Sequence, residues 1–325
     1  MLQFIIRRTL GAGLILFLIS AFTFFMFFAI PQDPALLACG KNCTPDALEV
    51  IHKNLGLDDP VPVQFWNYVV GIFAGRDFAV GHCSAPCFGV SFDNQQMVWD
   101  TILDRLPLTI SLSAGGLLVF LTVGLGAGMI AAARRGTAVD KFFSGSSLVL
   151  SSLQIYFLGP VVMGIFVYSS GLLDKPAYVP FSEDIGGWFM GLLIPWCVMS
   201  VIFTANYTRM SRSTMIEQLQ EEHVRAARAK GMSSKYVFFR YAWRGSLTPI
   251  VTILGIDLGA LFGGAMVTEL TFGLAGLGRL ARDSVIDKDL PLTMGVMIFS
   301  AALILFFNII VDALYALIDP RVRLS

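Results

Sequence analysis

Charge is scarce in this chain. Of 325 residues, only 14% are Asp, Glu, Lys or Arg, where soluble domains carry about a quarter. Histidine is rarer still, and His52, His82 and His223 show no ligand spacing, so neither a metal centre nor a Ser/His/Asp-type enzyme is expected. No G-x-x-x-x-G-K-[ST] segment occurs, so the chain does not cradle nucleotide phosphates by that route and draws its energy from elsewhere or uses none. With 23 basic against 23 acidic residues there is no global attraction for a polyanion, and nucleic acid is not an expected partner. Internal repeats and low-complexity tracts are also missing.

What is present is hydrophobic length. Apolar residues make up 55% of the chain and mean hydropathy is +0.71, which marks an all-α integral membrane protein. About 20 apolar residues cross a hydrocarbon core. Residues 9–30, 106–133, 142–173, 185–208 and 290–311 contain no charge, and residues 247–270 are interrupted only by Asp257 and Glu269. Six transmembrane helices are therefore expected. The run at 142–173 exceeds what a bilayer needs, so its ends must tilt, lie in the interface or fold back. The 22-residue run at 9–30 is too long for a typical signal-peptide core and is expected to be an uncleaved first span.

Orientation follows from the Lys and Arg distribution. With the N-terminus inside, 15 of the 23 basic residues fall on the inner side, eight of them between Arg209 and Arg244. Both termini of this multi-pass membrane protein are thus expected in the cytoplasm. Three regions result: a first helix over 1–30, an extracytoplasmic segment over 31–104, and a five-helix core over 105–325 that includes a cytoplasmic segment at 209–246.

The extracytoplasmic segment contains "VQFWNYVVGIF" (63–73), a helix-like aromatic stretch that suggests an ordered cap lying partly in the membrane interface. It also holds four of the five cysteines, Cys39, Cys43, Cys83 and Cys87, as two C-x3-C pairs. An oxidising exterior favours disulfides, with three connectivities open, over a metal site. Cys197 falls in a span and is expected to be a small buried residue.

On the inner side, "TMIEQLQEEHVRAARAKG" places Thr214 three residues before Glu217 and ends at Gly231, which predicts one helix over 214–231 opened by a capping box and closed by a glycine. Ala226, Ala227 and Ala229 give a thin surface that another protein can approach, ringed by Arg225, Arg228 and Lys230. The segment reads either as a docking element or as a solvated positive loop that fixes topology. After it, "SSKYVFFRYAWRG" leads from a serine cap back toward the membrane at Pro249.

"RAARAKG", followed eighteen residues after Gly231 by Pro249, resembles the EAA loop of ABC importer permeases of the dipeptide, oligopeptide and nickel group. "LGLDDPVPVQFWNYVVGIFAG", "RLPLTISLS", "GGAMVTELTFGLAGLGRL" and "DPRVRL" keep the order found in that family, and the early first span followed by a long external segment is similar to its B-type subunit. Arg225 stands where the general EAA pattern has Glu, and Leu274 and Ala275 stand where many relatives have an aromatic-proline pair. The resemblance implies a type I ABC importer permease fold with an extracytoplasmic insertion after helix one. It also implies a non-catalytic subunit that pairs with a homologous second permease and receives substrate, oligopeptide or dipeptide, from an extracytoplasmic binding protein. Two ABC ATPase subunits, or a fused one, would hold ATP and Mg; Arg225, Ala226, Ala227, Arg228, Lys230 and Gly231 would dock on them.

The acids within the fifth span, Asp257 and Glu269, are costly in lipid and are candidates for lining the translocation path. A competing reading makes them the titrating pair of a proton-coupled secondary transporter. Glu269 lies near the span's outer end, where it is able to reach water. Gly255, Gly259 and Gly263 recur every four residues, a spacing that allows close helix packing, either with the partner permease or within the chain.

Overall fold

The computed structural model describes residues 2–28, 59–78 and 81–318, together with a few single positions between 35 and 57. Helices dominate it. They are α1 (Leu2–Phe28), α2 (Val61–Ala74), α3 (Val98–Ala133), α4 (Ala138–Ser151), α5 (Ile155–Met163), α6 (Ile185–Gln218), α7 (Glu222–Ala229), α8 (Ser234–Val237), α9 (Trp243–Phe272), α10 (Leu277–Ile286) and α11 (Leu290–Ile318). A short antiparallel hairpin, β1 (Arg76–Phe78) with β2 (Gly81–Cys83), pairs Asp77 with His82. Wide π turns continue α5 over Gly164–Ser169 and join α8 to α9 over Phe238–Ala242.

Among the described residues, four helices are long and apolar enough to cross a membrane: α3, α6 and the segments Ile6–Met26 of α1 and Leu290–Val311 of α11. The long apolar run at 142–173 is not one straight span. It forms α4, then α5 with its π turn, bent by 103°. The bend falls at a polar break, where the Ser151 and Ser152 hydroxyls both donate back to the Leu148 carbonyl and Gln154 starts α5 in an extended conformation. Together the pair brings the number of candidate spans to five. The predicted 247–270 span lies inside the 30-residue α9.

The chain divides into two units. One comprises residues 108–274 and the chain from 307 onward. Its core is Leu112, Phe120, Leu192, Trp196, Met199, Tyr207, Ile250, Leu261 and Phe272. Here α3 and α6 touch through small residues: a Cβ at Gly128 would sit 2.6 Å from the Thr208 carbonyl, and one at Gly124 would sit 2.9 Å from the Tyr207 Cβ. The Trp196 indole donates to the Ser111 carbonyl at 3.0 Å, satisfying its one donor in the same interface. Cys197, expected to be buried, lies exposed on α6, between the buried Trp196 and Val198.

The other unit comprises residues 2–107 and 275–306. Its core joins Phe24 of α1 and Phe65 and Tyr68 of α2 with Phe88, Val98, Ile102, Leu277, Leu292, Met294 and Val296. Asp289, 1% exposed, starts α11: its carboxylate accepts from the Leu292 amide at 3.2 Å and from the Ser91 hydroxyl. That pair ties the segment just before α3 to the head of α11. Cys83 and Cys87 form a disulfide beside the hairpin. Cys39 and Cys43 lie outside the described residues.

Candidate coupling site and buried acids

The predicted single helix over 214–231 does not form. Instead α6 continues to Gln218, and the Thr214 hydroxyl donates to the Met210 and Ser211 carbonyls within α6, so it caps nothing. The chain turns at 219–221 and restarts as the two-turn α7 from Glu222. The hydrophobic positions explain the break. Leu219, Val224 and Ala227 fall on one side when the helix restarts at Glu222, and they pack with Val237, Met232 and Tyr241 from the returning segment. A continuous helix would carry Val224 and Ala227 away from those partners.

Consequently the six positions read as a docking surface separate into two sets. Ala227 is 4% exposed and faces inward, whereas Arg225, Ala226, Arg228, Lys230 and Gly231 are exposed, as is Ala229. Glu222 sits in the first turn and Arg228 in the last, an arrangement that complements the helix dipole. Gly231 ends the element with φ +77°, a conformation that costs a β-carbon residue about 1–2 kcal/mol. Its amide donates to the Arg228 carbonyl at 2.9 Å. The next turn starts on a serine cap, as the sequence indicates, with the Ser233 hydroxyl accepting from the Tyr236 amide.

Behind this element, α6 is anchored by a pair that sequence reasoning missed. Asp140, in the first turn of α4, accepts from Arg212 Nε at 2.5 Å and from Arg212 Nη2 at 2.8 Å, and also from the Gly136 amide at 3.0 Å. The Asp140 side chain is 5% exposed and that of Arg212 31%. A two-pronged guanidinium–carboxylate pair with a further amide donor is the geometry in which a shielded ion pair holds position. The signal was the acid three residues after Thr137, at a helix start.

The two acids of α9 do not come together. They are twelve residues apart, about 18 Å along a helix. Asp257 is half-buried and interacts with the buried Tyr207 hydroxyl of α6, which closes no regular hydrogen bond. Glu269, for which the sequence left open either a path-lining role or reach to water, is 0% exposed, and its carboxylate accepts from the Thr109 hydroxyl of α3 at 2.7 Å. The reason is that α9 runs on to Phe272, which leaves Glu269 inside the helix and under the α3 contact. Tyr207 and Phe272 belong to the packed core of this unit. A Cβ at Gly255 would meet the Val311 side chain at 2.6 Å, so this glycine packs against α11 of its own chain. Gly259 is half-buried, and the surroundings of Gly263 lie outside the described residues. The same four-residue spacing on α3, Gly124 and Gly128, is legible in "VGLGAGM".

Comparison with known families gives two matches. Residues 1–113 match the N-terminal region of binding-protein-dependent transport system membrane components, and residues 124–324 match binding-protein-dependent transport system inner membrane components. Among full-length relatives, a probable peptide ABC transporter permease of Sinorhizobium fredii is 31% identical over 98% of this chain and 99% of the relative. A putative peptide transport system permease of Brucella abortus is 32% identical over 99% of both chains. The dipeptide transport system permease DppB of Escherichia coli is 30% identical, again over 99% of both. The chain belongs to the family of binding-protein-dependent transport system inner membrane components, the membrane permeases of ABC transporters.

Proposed function

We propose that this chain is the non-catalytic permease subunit of an ATP-driven importer of oligopeptides or dipeptides in a bacterial inner membrane. It crosses the membrane six times with both termini in the cytoplasm. It forms the translocation path with a homologous permease, receives substrate from an extracytoplasmic binding protein, and docks on ABC ATPase subunits that hold ATP and Mg. Full-length similarity to permeases named for peptide transport supports the substrate class.

The observation that carries the coupling role is α7: a short, exposed, basic surface held rigid from behind by Val224 and Ala227. Such an element transmits force only if it contacts two states of a motor differently. Arg225, Ala226 and Arg228 make the contact, and Gly231 and Ala227 fix where it is made. Asp257 and Tyr207, between α6 and α9, line or border the path. The proton-coupled reading of Asp257 and Glu269 is set aside, because Glu269 is enclosed in protein and far from Asp257 along α9.

Reconstitution of the chain with its partner permease, ATPases and binding protein tests this. Ala226→Trp is expected to abolish ATP-dependent uptake of a labelled dipeptide and to release the ATPases during purification. Normal uptake by Ala226→Trp and by Arg225→Glu/Arg228→Glu would overturn the coupling role. Uptake by the chain alone, driven by a pH gradient, would restore the carrier reading.

A further inference from the structure

We propose that α2 is a membrane-inserted helix, and that its outward face, Val63, Trp66, Val70 and Phe73, is covered by phospholipid of the leaflet into which the C-terminal half of α1 runs. The four residues recur at intervals of three and four, so they form one stripe. Trp66 is 61% exposed and Phe73 78% exposed. The opposite face is occupied: Phe65, Tyr68 and Gly71 are buried against the unit's own core. Apart from the exposed Asn67 and from Gln64, whose amide donates to the Leu57 and Asp59 carbonyls, the helix is apolar on both sides, and its sequence, VPVQFWNYVVGIFA, contains no charged residue.

A cap standing in water would carry charge on its outer face, and an exposed apolar stripe of this size needs a cover. Its depth identifies the cover. The Phe65 ring lies 5.6 Å from that of Phe17 and 5.5 Å from that of Phe24, and Tyr68 lies 5.8 Å from Phe24. The apolar span of α1 runs Ile6–Met26, so Phe17 is about 13 Å below its C-terminal end and Phe24 about 3 Å. Phe65 sits between them and is thus at hydrocarbon depth, whichever way α1 crosses. The exposed apolar residues of α1, Leu18 and Phe22 among them, make a lipid-facing surface on the same bundle. With 14 residues α2 is about 21 Å long, too short to span. It lies within one leaflet, where Trp66 suits the boundary between headgroup and acyl chain.

The full-length chain in vesicles of phosphatidylethanolamine and phosphatidylglycerol provides the test. Trp66→Cys, Val70→Cys and Phe73→Cys are each spin-labelled in a Cys197→Ala background, with that background alone subtracted and Lys175→Cys as the exposed control. The expected result is a ratio of oxygen to nickel-chelate collisions severalfold higher at the three α2 positions than at the control. The ratio should persist when the second permease and the binding protein are added. A control-like ratio at all three positions would overturn the proposal in favour of an aqueous cap. Loss of collisions with both reagents on adding the partners would overturn it in favour of a protein contact. Val70→Cys is the mildest change and reads the same face if the larger substitutions disturb folding.

Discussion

Asp140 and Arg212 are separated by 72 residues, yet they make a two-pronged polar contact in the C-terminal part of α6. Removing one partner strands the other charge in a shielded site, so Asp140→Ala is expected to cost about 3 kcal/mol. Adding Arg212→Met to it should recover much of that loss, a coupling that a double-mutant cycle of thermal unfolding in detergent reads directly. Additive losses would show that the pair does not hold α6. At the other end of the unit, Thr109→Val removes the donor to Glu269 and should cost about 1–2 kcal/mol. Glu269→Gln keeps an acceptor oxygen at that place and should be better tolerated than Glu269→Leu, by the same measurement.

An element can be misplaced without being unfolded, and α7 shows how. Nothing surrounds the Cα hydrogen of Gly231, so Gly231→Val meets no clash and acts only through its φ of +77°. The expected outcome is a stability loss of about 1–2 kcal/mol, with a larger fall in ATP-dependent uptake than in protein yield. Ala226 and Ala227 provide a sharper contrast, since they are neighbours of which the first is exposed and the second buried. Ala226→Trp should release the ATPases while leaving the melting temperature unchanged. Ala227→Trp should lower the melting temperature, because it overfills the contact with Val224 and Val237. Equal behaviour of the two variants would contradict the placement of the helix. The π turn Phe238–Ala242 lies in the segment returning to α9. It inserts an extra residue into the ladder and sets the rotation of Val237 relative to α9.

At the scale of the whole chain, four long apolar helices and one bent pair among the described residues mark a membrane protein. The segment between α2 and α3 is held by Ser91 with Asp289 and by the Cys83–Cys87 bridge. That bridge closes a very short loop, so its chain-entropy contribution is about 2 kcal/mol. Cys83→Ser/Cys87→Ser should therefore lower stability modestly and leave insertion intact, as judged by thermal unfolding and by membrane fractionation. A chain that failed to insert would assign the bridge a folding role that its loop length does not predict.

The sequence alone determined what depends on composition and local pattern. Uncharged runs located four of the spans, "VQFWNYVVGIF" located α2, Ser233 the cap of α8, Gly231 the stop after α7, and "RAARAKG" the family. It could not determine where α6 ends, because the Thr214–Glu217 capping signal competes with burial of Leu219, Val224 and Ala227 against residues beyond 231, and packing over that distance outweighs one cap. It could not pair Asp140 with Arg212, or Thr109 with Glu269, since neither pair has a local signature. Nor could it split the alanines of α7 into an exposed and an enclosed set. Those outcomes rest on which faces meet, and a one-dimensional pattern specifies that a face is apolar without naming what covers it.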